Sequence, residues 1–122
     1  MEEFVKDFVA ETSESLGALD NDLLRLEIDV GDLDLVARIF RTVHTIKGTC
    51  GFLGLNRLRR VAHATENVLD AIRKGRVAAD TAVVTTILQA FDSLKEITEG
   101  LGASGVEGDG DDSALIGALD AR

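Results

Sequence analysis

Residues 32–54 read DLDLVARIFRTVHTIKGTCGFLG, and one period runs through them. Val36, Ile39, Val43, Ile46 and Cys50 recur at intervals of three and four, which lines them up along one side of a helix. Asp32 stands where an N-cap belongs and Gly54 where a helix stops. His44, Lys47, Gly48 and Gly51 keep the same intervals and form a second stripe beside the apolar one. Two glycines inside a helix cost about 1 kcal/mol each relative to alanine, so this stripe is expected to admit the close approach of another surface. An imidazole and an ammonium beside bare backbone suit a surface that carries an anion.

The pattern continues on both sides. Upstream, Phe4, Phe8, Thr12, Leu16, Leu19, Leu23 and Leu26 repeat at about 3.6 residues and predict one long amphipathic helix, ended by Gly31. Downstream, Asn56 is placed to cap a third helix with a buried stripe of Leu58, Val61, Ala62, Thr65, Val68, Leu69 and Ile72, and Gly75 is its stop. Asp80 is placed to cap a fourth, through Val84, Ile87, Leu88, Phe91, Leu94 and Leu101, closed at Gly100 or Gly102. Short connections make neighbours antiparallel, and the prediction is an all-α, up-down four-helix bundle over residues 1–101. Residues 102–112 are rich in Gly and Asp, carry too little apolar surface to order themselves, and read as an acidic linker. Within 113–122, Leu115, Ile116 and Leu119 form the apolar side of a short fifth helix that needs to dock on the bundle to be stable.

At 122 residues the chain suffices for one domain whose core needs neither disulfide nor metal. Pro, Trp and Tyr are absent, and the abundance of Ala, Leu, Arg and Glu favours helix over sheet. The single cysteine, Cys50, has no partner within the chain and belongs to an apolar stripe, where it is expected to pack; this suits a reducing compartment and points to the cytoplasm. Glu2 and Glu3 stand where an export signal would carry basic residues, and no apolar run reaches membrane-spanning length, so neither export nor membrane insertion is expected. Thirteen basic against twenty-two acidic residues give a net charge of -9, which argues against nucleic acid as a partner.

His44 precedes the turn after the second helix by about nine residues, while His63 and Glu66 follow it by about ten and thirteen, which sets them at similar heights. Helical side chains lean toward the amino terminus, drawing Glu66 back to the level of His44. His63, Glu66 and Asp70 share a face, so one solvent-facing groove is expected to hold them with His44 and Lys47. A neutral imidazole attacks through the nitrogen that lacks a proton, and an acceptor on the other nitrogen fixes that tautomer. Glu66 is placed to be that acceptor. His44 is then a candidate to take a phosphoryl group, with Lys47 balancing the charge and Gly48 leaving room for the oxygens and for a partner. The basic clusters Arg57, Arg59, Arg60 and Arg73, Lys74, Arg76 read as complements to helix ends ahead of any steering role. The alternative from another class is a metal-binding helical bundle using His44, His63 and Glu66. Lys47 weighs against it, since an ammonium one turn from a ligand repels a dication and attracts a phosphate. A purely structural adaptor would leave the two internal glycines and the imidazole unexplained.

HTIKGTCGFLGL, residues 44–55, resembles the phosphoacceptor motif of histidine phosphotransfer domains, and VAHATENVLDAIRKG, residues 61–75, resembles the third helix of the version that begins chemotaxis sensor kinases of the CheA type. The likeness covers about residues 1–100. It implies that His44 is phosphorylated from ATP by a separate kinase domain and then donates the group to an aspartate of response regulators of the CheY kind, with the CheB kind as a further candidate. It likewise implies that Lys47 and His63 belong to the supporting polar network, that Glu66 bonds the active imidazole, and that Gly48 gives steric access. On this resemblance the chain is a monomeric fragment that binds no cofactor and is not itself an enzyme, taken from a parent histidine protein kinase.

Overall fold

Five helices follow one another along the chain: α1 (Glu2–Ile28), α2 (Leu33–Leu53), α3 (Asn56–Arg73), α4 (Thr81–Ser104) and α5 (Ser113–Asp120). This computed structural model describes residues 2–29 and 31–122, so Met1 and Val30 of the expected bundle lie outside the described residues. Each of the first four helices packs on two of the other three, α1 on α2 and α4, α3 on α2 and α4. The result is the up-down bundle that the periodicity predicts. Its centre is mainly aliphatic, with Leu16, Leu19, Leu23, Ile39, Leu58, Leu69, Ile87 and Leu94 among the fully buried side chains, beside Phe91. Ion pairs tie the outer edges, Asp22 with Arg38 at 2.8 Å between α1 and α2, and Asp20 with Lys95 between α1 and α4.

The caps decide where α2 sits. Asp32 Oδ1 accepts from the Leu35 amide at 3.0 Å, and at the other end Gly54 takes the left-handed conformation, φ 72°, so that the amides of Gly54 and Leu55 turn back to the carbonyls of Gly51 and Cys50. Only two residues then separate α2 from α3, and the two helices are forced into an antiparallel pair. Asp80 caps α4 as expected, accepting from Val83 at 2.9 Å.

Three boundaries and one core position differ from the sequence reading. α1 ends at Ile28, ahead of Gly31, and the Asp32 amide turns back to the Asp29 carbonyl at 3.2 Å. Asn56 does not cap α3; it is the first helical residue, the N-cap position falls to Leu55, and no side chain there makes the bond. α4 runs through Gly100 and Gly102 to Ser104 and closes at Gly105, φ 80°, since the burial of Leu101 holds its last turn on the bundle. Phe4, assigned to the buried stripe, is 58% exposed and meets Phe52 edge to face beyond the end of the core.

The acidic segment after α4 is the largest difference. Glu107 Oε2 accepts from the Leu58 amide at 2.7 Å, capping α3 from a distant part of the chain. Arg57 donates to both oxygens of Asp112, at 2.8 and 3.1 Å, and to the Glu107 carbonyl at 2.9 Å. A Cβ at Gly110 would collide with the Arg57 guanidinium. Apolar burial does not hold this segment; charged hydrogen bonds to the start of α3 do. It leads into α5, which docks on α3 and α4 through buried Leu119 and half-buried Leu115 and Ile116.

Candidate functional site

Because α2 and α3 are antiparallel neighbours, residues a few turns from their shared loop meet across the groove. His44 Nδ1 lies 2.7 Å from Glu66 Oε2, and Lys47 Nζ lies 2.8 Å from Glu66 Oε1. One carboxylate therefore engages two groups of α2 that are one turn apart. Glu66 is almost covered, with 11% of its side chain exposed, whereas 61% of the His44 side chain faces solvent.

Burial pushes the Glu66 carboxyl up, but the hydrogen bonds from Lys47 and His44 outweigh it together with their charges, and the net effect holds Glu66 below its ordinary value. An ionised carboxylate only accepts, so His44 Nδ1–H is the donor. The lone pair of the ring is left on Nε2. A nucleophilic nitrogen with its tautomer fixed from below, on an exposed ring beside an ammonium, is equipped to take an electrophilic, anionic group.

Bare backbone extends the site along α2. An added Cβ at Gly48 would meet nothing within 4 Å, and one at Gly51 would touch only the Arg59 side chain at 3.7 Å, an ordinary contact. Neither glycine is required for helix packing. Cys50, by contrast, is fully buried, and burial with the nearby Glu107 charge pushes its thiol up to about 12. It packs in the core.

Of two further expected members of the groove, one faces elsewhere and the other makes no bond to His44, Lys47 or Glu66 among the described residues. His63 makes no hydrogen bond to His44, Lys47 or Glu66 among the described residues; it is exposed and lines a groove with Arg59, Arg60, Asn67 and Ile116 on the side of α5. Three residues along a helix leave a rotation of about 60°, enough to turn His63 outward while Glu66 points at α2. Asp70 pairs with its own helix, with Arg73 at 2.5 Å and Lys74 at 2.9 Å. Without His63 the metal alternative loses its third ligand, and among the described residues no three His, Cys, Asp or Glu side chains gather as a metal site.

Sequence reading missed Phe40 and the part played by Arg73. The Phe40 ring is stacked with that of His44, centroids 6.0 Å apart and planes 12° from parallel, and the Arg73 guanidinium lies 4.3 Å from the Phe40 centroid. The signal was present as the interval of four between Phe40 and His44, which sets them on one face.

The family model described as Hpt domain matches residues 3–97. The sensor histidine kinase CheAY of Helicobacter pylori is 40% identical over 97 residues, which is 80% of this chain and 12% of that protein. Two solved structures superpose with a TM-score of 0.89. One is the phosphorylated P1 domain of CheA3 in complex with CheY6 from R. sphaeroides, 30% identical, covering 99% of this chain and 95% of the other. The second is a solution structure of the histidine phosphotransfer domain of CheA, 27% identical, covering 99% and 92%. This chain spans between 11% and 18% of the length of its full-length relatives.

Proposed function

The chain belongs to the Hpt domain family, and from that premise we propose that His44 is the residue that carries the phosphoryl group, within a chemotaxis kinase of the CheA kind. The observation that supports this most is the 2.7 Å contact from Nδ1 to a covered carboxylate on a ring that is otherwise exposed. The Nε2 lone pair attacks the γ-phosphorus of ATP held by a separate kinase catalytic domain. The N–P bond forms as the bond to the ADP oxygen breaks, and the positive charge that develops on the ring is shared with Glu66 through Nδ1–H. In the second step a carboxylate oxygen of a response-regulator aspartate attacks phosphorus, the N–P bond breaks, and its electrons return to Nε2.

Lys47 presents three N–H donors, of which one reaches Glu66, and the others are available to phosphoryl oxygens. Gly48 leaves the space above them open. ATP serves as the separate kinase domain's substrate, and the Hpt domain binds no cofactor. The regulators are of the CheY kind, as with the CheA3 domain bound to CheY6, with the CheB kind as a further candidate. The parent chain is a histidine kinase of the CheA kind working in the cytoplasm. The domain acts as a monomer.

The test is to mix the protein with a CheA-type catalytic domain and labelled ATP and to map the label. Acid-labile, base-stable phosphate on His44, absent from His44→Gln with an unchanged melting temperature, is the expected result. Label persisting in His44→Gln overturns the assignment.

A further inference from the structure

We propose that Phe40, backed by Arg73 and Asp70, is a positioning residue for the His44 imidazole, and that it governs how often the ring presents Nε2 in the reactive direction. The inference rests on the reading of His44 as phosphoacceptor. A single hydrogen bond from Nδ1 to Glu66 fixes one edge of the ring and its tautomer, but it leaves the ring free to rock about the line joining the two atoms. Rocking re-aims the Nε2 lone pair, which lies in the ring plane and at an angle to that line. Removing that freedom takes a contact with the face of the ring.

Phe40 supplies it. The two rings are 12° from parallel with centroids 6.0 Å apart, an offset stack within the range where aromatic pairs attract. Phe40 is itself half-buried and packed against the core, so its own motion is limited. Arg73, the last residue of α3, holds its guanidinium 4.3 Å from the Phe40 centroid, and Asp70 anchors that guanidinium at 2.5 Å. α3 thereby holds the imidazole twice, once at its edge through Glu66 and once at its face through Arg73 and Phe40, with about two helical turns between the two grips. Phosphoryl transfer to nitrogen demands alignment of the lone pair with the breaking P–O bond, so orientation converts directly into rate.

The experiment compares Phe40→Leu, Phe40→Tyr and Arg73→Gln in the whole protein. Leucine keeps apolar bulk without a planar face, and tyrosine restores the face. Two readouts are taken on each: NMR relaxation of the His44 ring C–H groups without any kinase, and kcat and KM for phosphorylation by a CheA-type catalytic domain with ATP. Expected for Phe40→Leu is greater ring mobility, a kcat lower by roughly 2- to 10-fold and an unchanged KM. Phe40→Tyr recovers both readouts, and Arg73→Gln falls between. A leucine variant with wild-type ring mobility and kcat overturns the proposal. So does a kcat loss that tyrosine fails to recover while the protein remains folded. Failure of wild-type protein to accept phosphate at His44 would count against the phosphoacceptor reading, whereas the relaxation data would still report on the stack.

Discussion

Two of the clusters of cations and carboxylates on α3 do opposite things. At its start, Arg57, Glu107 and Asp112 commit their hydrogen-bonding groups to one another and to the main chain, the Leu58 amide and the Glu107 carbonyl among them. Midway along, Glu66 joins Lys47 and His44, and the imidazole keeps one nitrogen outside the network. Exposure follows the same division: Arg57 and Asp112 are 20% and 11% exposed, while His44 is 61% exposed above a Glu66 that is as covered as Asp112. A charged cluster that satisfies backbone is a cap, and one that orients a group without saturating it is a reactive site. The difference lies in what each network leaves uncommitted.

The sharpest way to break this comparison is to remove the shared carboxylate from the second cluster. Glu66→Ala is expected to slow phosphorylation by on the order of 10- to 100-fold, since the tautomer and the edge of the ring are then unheld. Its cost in stability is expected to be about 1 kcal/mol or less, because His44 and Lys47 both keep access to water. Single-turnover rates and thermal melts on one preparation check the ratio. An undiminished rate would show that the ring is oriented by something other than Glu66. The carboxylate also sets a pH signature. Glu66 is held below its ordinary value of 4.5, so its share of stability is present above that pH and is lost as the pH falls through the lower folded value. Melts of wild type and Glu66→Gln should therefore converge in that acidic window and differ above it.

What the sequence made legible follows the range of the forces involved. The stripe of α2, its Asp32 and Gly54 caps and the height of Glu66 opposite His44 depend on local spacing and one short loop, and all were readable. Leu58 finds its cap in Glu107, far along the chain, and no local rule distinguishes that from a cap by Asn56. The segment after α4 was misjudged for the same reason: composition counts apolar surface, and this segment is held by Arg57. Gly100 and Gly102 look like stops until the packing of Leu101 is known. His63 was placed by an interval of three, which is close enough to share a helix side with Glu66 and too coarse to share its direction.

The first cluster gives the next prediction. Glu107→Ala leaves the Leu58 amide without its acceptor and is expected to cost roughly 0.5 to 2 kcal/mol, as loss of an N-cap does elsewhere. Hydrogen exchange at the Leu58 amide should quicken, and phosphorylation of the folded protein should be unchanged. A variant that stays fully stable yet transfers slowly would place Glu107 in the working surface and erase the contrast between the clusters.

Gly48 carries the smallest expected change in stability and sharpens the comparison most finely. It lies one turn from His44 in the middle of α2, where any other helix former would be favoured by up to about 1 kcal/mol. Had the glycine served close helix packing, leucine there would overpack the interior at roughly 1 to 3 kcal/mol. The structure puts open space where its side chain would grow, with no atom within 4 Å of an added Cβ. Gly48→Leu is therefore expected to melt at the same temperature or slightly higher. The new side chain nevertheless grows from the same stripe one turn after His44 and leans back toward it, into the space where three phosphoryl oxygens and the face of a regulator must fit. Transfer to a response regulator should fall, and acceptance from the kinase should fall with it. Gly48→Ala, with a single carbon added, should show the same stabilisation and a smaller loss of transfer. If both variants transfer at the wild-type rate, the glycine is not a gate, and the open stripe along α2 needs another explanation.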